Sequence, residues 1–316
     1  MTRVPVGSSV AASRRKRLLR KAFTGYLFLL PNLAGFLIFF AVPLLWSFYL
    51  GFTDWDGFSS PKFVGLQNFA QFLGKNPLLA TDPPYYFWKS LKNTLYYCLG
   101  SIPPGIVLSF VLAVLLNSKL RGMNFFRTIY FLPVVSSVVA VSLLWRWLFA
   151  VEFGPINYLL SKIGGPSWRL GWLTSPQWAM PGIIIMAIWR TLGYNIVIFL
   201  AGLQGIPSSL YEAAIVDGAG QRHLFLHITV PLMTPAIFFV LVMSVISGLQ
   251  VFSEAYMMTA GGPARATLTV VYNLYQQGFS FMHLGMASAM GWVLFVLIFA
   301  LTAAQNALSK KWVFYS

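Results

Sequence analysis

Apolar and polar positions alternate along this chain in long blocks rather than at the period of a soluble helix or strand. Six apolar blocks, approximately 24–50, 93–117, 125–150, 179–203, 232–258 and 284–308, are each long enough for a helix crossing a hydrocarbon layer, which takes about 20 residues for roughly 30 Å. Prolines interrupt several of them (Pro31, Pro43, Pro103, Pro104, Pro133, Pro181 and Pro235). Such breaks are tolerated where neighbouring helices supply partners for the freed backbone groups. The pattern therefore predicts an all-α, polytopic membrane protein whose six spans pack as a bundle, some of them kinked. The expected division is a basic tail over 1–23, a transmembrane domain over 24–308 and a short tail over 309–316.

Composition sharpens this class. Hydrophobic residues make up 58% of the 316 residues and charged ones only 9%, against about 25% charged in soluble domains. The first apolar block is longer than a signal-peptide core of about 7–15 residues, so it reads as a retained span. The single cysteine, Cys98, lies within an apolar block, which excludes an intrachain disulfide and suits a small buried hydrophobe.

The net charge of +15 raises nucleic acid as a partner, but the charges are in the wrong places. Seven of the 22 basic residues fall in the first 21 positions (Arg3, Arg14, Arg15, Lys16, Arg17, Arg20 and Lys21), directly before the first span. No basic stripe with interleaved aromatics follows. With the N-terminus inside, Lys119, Arg121, Arg127, Arg222, Lys310 and Lys311 join these seven, while Lys62, Lys75, Lys89, Lys92, Lys162, Arg169 and Arg265 fall outside. That excess places both termini and the connection over about 204–231 in the cytoplasm. Membrane lipid, not nucleic acid, is the implied surroundings. On the outer side, 51–92 carries interfacial aromatics and turn residues, and 153–172 reads as a short amphipathic helix.

The connection contains the most polar long stretch of the second half, SSLYEAAIVDGAGQRHLFLHITVPLMTP (208–235). Pro207 stops the preceding span, Ser209 and Glu212 have capping-box spacing, and Gly218 and Gly220 permit a turn. A second short helix is expected over 221–229, ended by Pro231, with Pro235 in the first turn of the next span. A connection this long exceeds the usual 4–6 residues or so. It is either a plain linker or a structured knob that docks into a partner's groove. His223 and His227 are spaced for a shared zinc ion, yet no third ligand accompanies them, and no metal site is assigned.

Polar groups also lie within the spans, where they are costly and tend to face a bundle interior or an aqueous path. Arg190 and Tyr194 share a face of span 4. In span 5, Ser244, Ser247, Gly248, Val251 and Glu254 fall on one arc of a continuous helix, with Gln250 at its margin. Together with Trp189 and Phe252 they suit the wall of a cavity for a polyhydroxylated solute. Packing is the competing reading, since Ser and Gly let membrane helices approach closely and Arg190 and Glu254 can simply pair. No catalytic set is visible: Glu254 is the only acid inside a span, which weakens a membrane-embedded enzyme. An ion-coupled secondary transporter should show internal repeats and more buried acids.

The segment EAAIVDGAGQRHLFLHITVPLMTP resembles the EAA loop of ATP-binding-cassette importer permeases. The matching positions are Glu212, Ala213, Ala214, Asp217, Gly218, Ala219, Ile228, Pro231 and Pro235. YLFLLPNLAGFLIFFAVPLLWSFYLGFTDWDG, FVGLQNF and MMTAGGPARATLTVVYNLYQQGF resemble the carbohydrate-uptake branch, of the maltose and glycerol-phosphate type. The resemblance implies a type I importer permease in a bacterial or archaeal plasma membrane. It implies as partners a second homologous permease, two ATPase subunits and an external solute-binding protein, with a sugar-like solute. It also implies that Glu212, Ala213, Ala214, Asp217, Gly218, Ala219 and Gly220 form the ATPase-coupling contact, and that solute crosses by alternating access. The chain has no G-x-x-x-x-G-K-[ST] phosphate loop, LGKNP (73–77) failing the pattern. ATP and Mg are thus expected on the partner ATPase, with no cofactor on this chain. An amino-acid or peptide permease is the alternative within transport.

Overall fold

The computed structural model describes residues 7–74, 86–117 and 123–314. Arg3, Lys75, Lys119 and Arg121 lie outside them. The first helical rod begins with α1 (Gly7–Phe36), widens through a π turn at Leu37–Ala41 and ends as α2 (Val42–Leu50). From Gly7 on, the stretch expected as a tail is the start of α1, since its Ala, Arg, Lys and Leu residues are good helix formers.

A two-residue hairpin, β1 (Thr53–Asp54) and β2 (Lys62–Phe63), and α3 (Gln67–Leu73) follow. In the turn between the strands, Asp56 accepts hydrogen bonds from the N–H groups of Phe58 and Ser59 and from the Ser59 hydroxyl. These donors hold its carboxyl down at about 2.

Then come α4 (Phe87–Leu116), α5 (Met123–Val135), α6 (Val138–Leu148), α7 (Pro155–Gly164) and α8 (Ala179–Gln204). The hairpin helices α9 (Ser208–Val216) and α10 (Gln221–Leu224) precede α11 (Val230–Leu249). The last three are α12 (Ser253–Thr259), α13 (Val270–Tyr275) and α14 (Leu284–Ser309).

Among the described residues, five helical rods are long and apolar enough to cross a membrane: Phe23–Leu50, Phe87–Leu116, Ala179–Gln204, Gln221–Leu249 and Leu284–Ser309. The sixth expected block does not form one continuous rod. Thr128–Val135 and Val138–Leu148 meet at 109°, where Ser137 takes an extended conformation (ψ 131°). Counted together, the pair completes six.

Two further boundaries differ from the sequence pattern. The helix of span 2 begins at Phe87, so Lys89 and Lys92 sit in its first turns. The helix after the polar hairpin does not stop at Pro231. A π turn over Phe225–Thr229, in which the Val230 N–H reaches back to the Phe225 carbonyl, joins α10 to α11 without interruption. A proline removes one ladder donor and crowds the preceding turn, and a widened turn just before it absorbs both demands. The same device recurs in the first rod, where the π turn at Leu37–Ala41 precedes Pro43.

The centre of the bundle is α8, with Ile183, Met186 and Phe199 fully buried. It packs on α4, α5 and α11 through two apolar clusters. By contrast, the most apolar window of the first rod buries nothing; Phe28 and Phe39 are each 82% exposed. Such a surface is tolerable only in hydrocarbon or against another helix. Small residues permit close approaches between helices. At Gly248 a Cβ would lie 2.9 Å from Sγ of buried Cys98, and at Gly193 it would lie 2.0 Å from the Tyr130 carbonyl oxygen.

Gly193→Ala therefore has a calculable sign. Alanine improves helix propensity by about 1 kcal/mol, but overpacking costs about 1–3 kcal/mol and occasionally more, and a clash with a backbone carbonyl, which cannot rotate away, belongs at the upper end. A lowered thermal-unfolding midpoint in detergent is expected. Gly25→Ala, where a Cβ meets nothing within 4 Å, should leave the midpoint unchanged or higher. Equal midpoints for the two variants would disprove the contact.

Candidate functional site: a polar cavity and an exposed hairpin

A cavity of 480 Å³ opens between α4, α8, α11 and the start of α12. All seven side chains singled out for a cavity, Arg190, Tyr194, Ser244, Ser247, Gly248, Gln250 and Glu254, line it. The one arc expected in span 5 does not exist as a helix. The ladder ends at Leu249, residues 250–252 are irregular, and Glu254 stands on the separate α12. The Thr269 hydroxyl donates to the Val251 carbonyl freed by this break at 2.8 Å. The following N–H, of Val270, donates to Thr94 Oγ1 on α4 at 3.0 Å. The break thus turns Gln250, Phe252 and Glu254 inward while the Val251 carbonyl keeps a partner.

Trp189, expected beside the cavity, is not part of the lining. It packs edge-on against Trp145 at 5.6 Å. Phe252 does line the cavity and stacks on Tyr256 at 5.4 Å. A third wall comes from α4, through Tyr97, Ser101, Ile102 and Gly105; Thr191 and Asn195 add to the α8 wall. Sequence reasoning passed over these residues. The one signal was the spacing of Tyr97 and Ser101, four apart and therefore on one face of their helix.

The polar groups fall into two sets. Ser101 and Thr191 are spent on their own helices, donating to the carbonyls of Tyr97 and Ala187. Arg190 Nη2 donates to Glu254 Oε1 at 2.6 Å, the one ion pair among the described residues. Tyr194, Asn195, Ser244, Ser247 and Gln250 have no side-chain hydrogen-bond partner among the described residues, although all five face the same space. Hydroxyl and amide groups that converge uncommitted on a cavity can take up a ligand rich in hydroxyls.

The hairpin stands at the end of the bundle where α8 finishes and α11 begins. Its first helix buries no side chain, and Ile215 and Val216 are 55% and 87% exposed. The expected capping box is absent. Pro207 is the cap residue and Ser209 lies in the second helical position, so neither Ser209 nor Glu212 makes a cap bond. The helix end is more strongly defined. Gly218 adopts φ +84°, its N–H donates to Ile215 O at 3.0 Å, and the Ala219 N–H donates to Ala214 O at 2.9 Å. This is the Schellman arrangement that favours glycine.

Gly220 has an ordinary φ of −78° and caps α10. The Tyr211 hydroxyl meets Thr229 Oγ1 at 3.0 Å, tying the knob to the base of α11. His223 and His227 stack at 4.0 Å. Among the described residues no three His, Cys, Asp or Glu side chains gather as a metal site.

Comparison with known proteins places this geometry. Residues 105–313 match the family described as "Binding-protein-dependent transport system inner membrane component". The chain is 38% identical over 313 residues to the probable ABC transporter permease protein YesP of Bacillus subtilis, covering 98% of both chains. It is 38% identical to the lactose transport system permease protein LacF of Rhizobium radiobacter, covering 89% of this chain and 92% of that one. Its fold is similar to that of a chain in the crystal structure of a bacterial ABC transporter involved in the import of the acidic polysaccharide alginate. That likeness has a TM-score of 0.79 and 26% identity, and covers 94% of this chain and 99% of that one.

Proposed function

Because the chain belongs to the family of inner-membrane components of binding-protein-dependent transport systems, in its carbohydrate-uptake ABC branch, we propose that it is the permease subunit through which a sugar-like solute is imported at the expense of ATP. It is a multi-pass membrane protein and not itself an enzyme. One observation carries the solute reading: five uncommitted hydroxyl and amide side chains converge on a cavity beside the ring of Phe252. A polyol satisfies such groups, whereas an amino-acid zwitterion needs a charged partner at each end, and the two charged residues of this lining, Arg190 and Glu254, are already paired with each other.

In this reading the external binding protein delivers solute at the end opposite the hairpin, and the second permease closes the other side of the path. The α9–α10 hairpin, with Glu212, Ala213, Ala214, Asp217, Gly218, Ala219 and Gly220, sits in a groove of the ATPase. ATP and Mg stay on that partner, and closure of the ATPase pair moves the hairpin. Because α10 runs unbroken into α11, a displacement at the knob is carried along a rigid rod to Ser244, Ser247 and the break at 250–252. Both termini lie on the hairpin side, in the cytoplasm. This is supported by Phe314, whose N–H donates to Thr234 Oγ1 at the base of α11, and by the basic residues near the N-terminus.

The test is ATP hydrolysis by the complete complex in nanodiscs with its binding protein, against panels of oligosaccharides, amino acids and peptides. Stimulation of several-fold by a saccharide alone is expected. Stimulation by an amino acid or peptide, or uptake driven by an ion gradient without ATP, defeats the proposal.

A further inference from the structure

Carbohydrate solutes divide into neutral ones and those bearing uronate or phosphate groups, and the cavity wall distinguishes them. Among the described residues, Arg190 and Glu254 are the only charged ones that line the cavity. They are joined at 2.6 Å, with the Glu254 side chain 8% and that of Arg190 32% exposed. Every other polar group on this wall, from Tyr97 round to Gln250, is neutral.

An anion entering this space meets no uncommitted cation. Arg190 makes a single bond to Glu254 and its Nε has no partner, but an anion that reaches the guanidinium either shares it with the adjacent Glu254 carboxylate, at the cost of like-charge repulsion, or displaces that carboxylate and leaves it buried without a counter-charge. A neutral polyol makes no such demand. It takes the hydroxyls of Tyr194, Ser244 and Ser247 and the amides of Asn195 and Gln250 and leaves the ion pair closed.

Resting on the saccharide reading above, we infer that Glu254 is a specificity residue: by holding Arg190, it makes this wall accept neutral saccharides and exclude uronates and sugar phosphates. Discrimination arises from the unfavourable encounter with the wrong ligand as much as from contacts to the right one. A shared fold with an importer of an acidic polysaccharide does not oppose this, since charge selection resides in side chains and not in the fold.

The probes are matched trisaccharides of glucose, galactose and mannose, each in the neutral form and oxidised at C6 to the uronate. Equilibrium dialysis against the complete complex in nanodiscs measures each pair. Wild type is expected to favour the neutral member of the pair it binds by about tenfold or more. Glu254→Gln frees Arg190 and should reduce that ratio by about tenfold.

The double variant Arg190→Gln, Glu254→Gln keeps a hydrogen-bonded pair without charge, and its ratio should also fall, by about threefold or more. It decides the matter if the single variant fails to insert. The charge swap Arg190→Glu, Glu254→Arg preserves neutrality and should keep the wild-type ratio. A wild-type preference for a uronate, or wild-type ratios in both neutralised variants, overturns the charge filter alone. Wild-type binding of neither kind removes the saccharide reading and the filter with it.

Discussion

Gly218→Pro is expected to abolish ATP-driven uptake, by about two orders of magnitude, in a complex that still inserts and assembles. The native φ at this position is +84°, whereas proline is confined near −65°. The substitution also deletes the N–H that donates to Ile215 O. Without the left-handed residue the chain cannot reverse between α9 and α10, and the knob no longer presents both helices together. Little of the bundle's stability is at stake, because α9 buries no side chain.

Controls separate the turn from its neighbours. Gly218→Asn should retain most of the activity, since asparagine tolerates the left-handed region. Gly220→Ala should be near wild type, since Gly220 has an ordinary φ and open space around it. Glu212→Lys adds a further distinction. Glu212 caps nothing, so loss of coupling at unchanged helix content reports a partner contact directly. Normal uptake by Gly218→Pro would show that the hairpin does not transmit the ATPase stroke.

Much of this arrangement was legible in the sequence, for physical reasons that also mark where legibility ends. A span is a local property: about 20 apolar residues suffice, and five rods and the bent pair fall where the apolar blocks lie. Arg190, Tyr194, Ser244, Ser247 and Gln250 were legible because a polar group inside an apolar block needs a reason.

What escaped depends on partners distant in sequence. The break at 250–252 is stabilised by Thr269 and Thr94, residues that no window around Val251 contains. The bend at Ser136–Ser137 carries neither proline nor glycine at its hinge. Pro231 looked like a stop because a π turn, which leaves no sequence signature, lets the helix pass through it. Ser209 and Glu212 had capping-box spacing, but the cap is Pro207 and the helix starts at Ser208, two residues earlier than that spacing implies, and spacing alone does not choose between nearby starts. The α4 wall was missed because Tyr97 and Ser101 look like packing residues until their helix is placed against α8.

Ser244→Trp should also abolish uptake, but by obstructing the cavity and not by breaking the coupling hairpin. Ser244 lies on α11, faces the cavity and makes no side-chain hydrogen bond, so its loss costs the fold little. An indole in its place fills space that in the wild type is bounded by Ser101, Tyr194 and Ser247 and that a saccharide ring needs. Uptake is expected to fall about 100-fold, and solute stimulation of ATP hydrolysis should disappear with it. Hydrolysis by the complex without solute should persist, because the hairpin, Gly218 and the α10–α11 rod are untouched.

Ser244→Ala calibrates the effect. It removes one hydrogen bond to a neutral ligand, worth about 0.5–1.5 kcal/mol, and so weakens apparent affinity by roughly three- to tenfold at unchanged maximal rate. Gly218 lies in the turn just before the continuous rod Gln221–Leu249 and Ser244 lies near the far end of that rod, so the two variants act on its two sides. If Ser244→Trp transports normally, the solute does not pass this wall, and the polar groups on α8 and α11 serve only packing. If both variants behave as expected, the break after Leu249 becomes the point where motion of the rod is converted into opening and closing of the cavity. In that case Gln250 and Phe252 would turn with the end of α11 while Thr269, which donates to the Val251 carbonyl, holds the other side of the break.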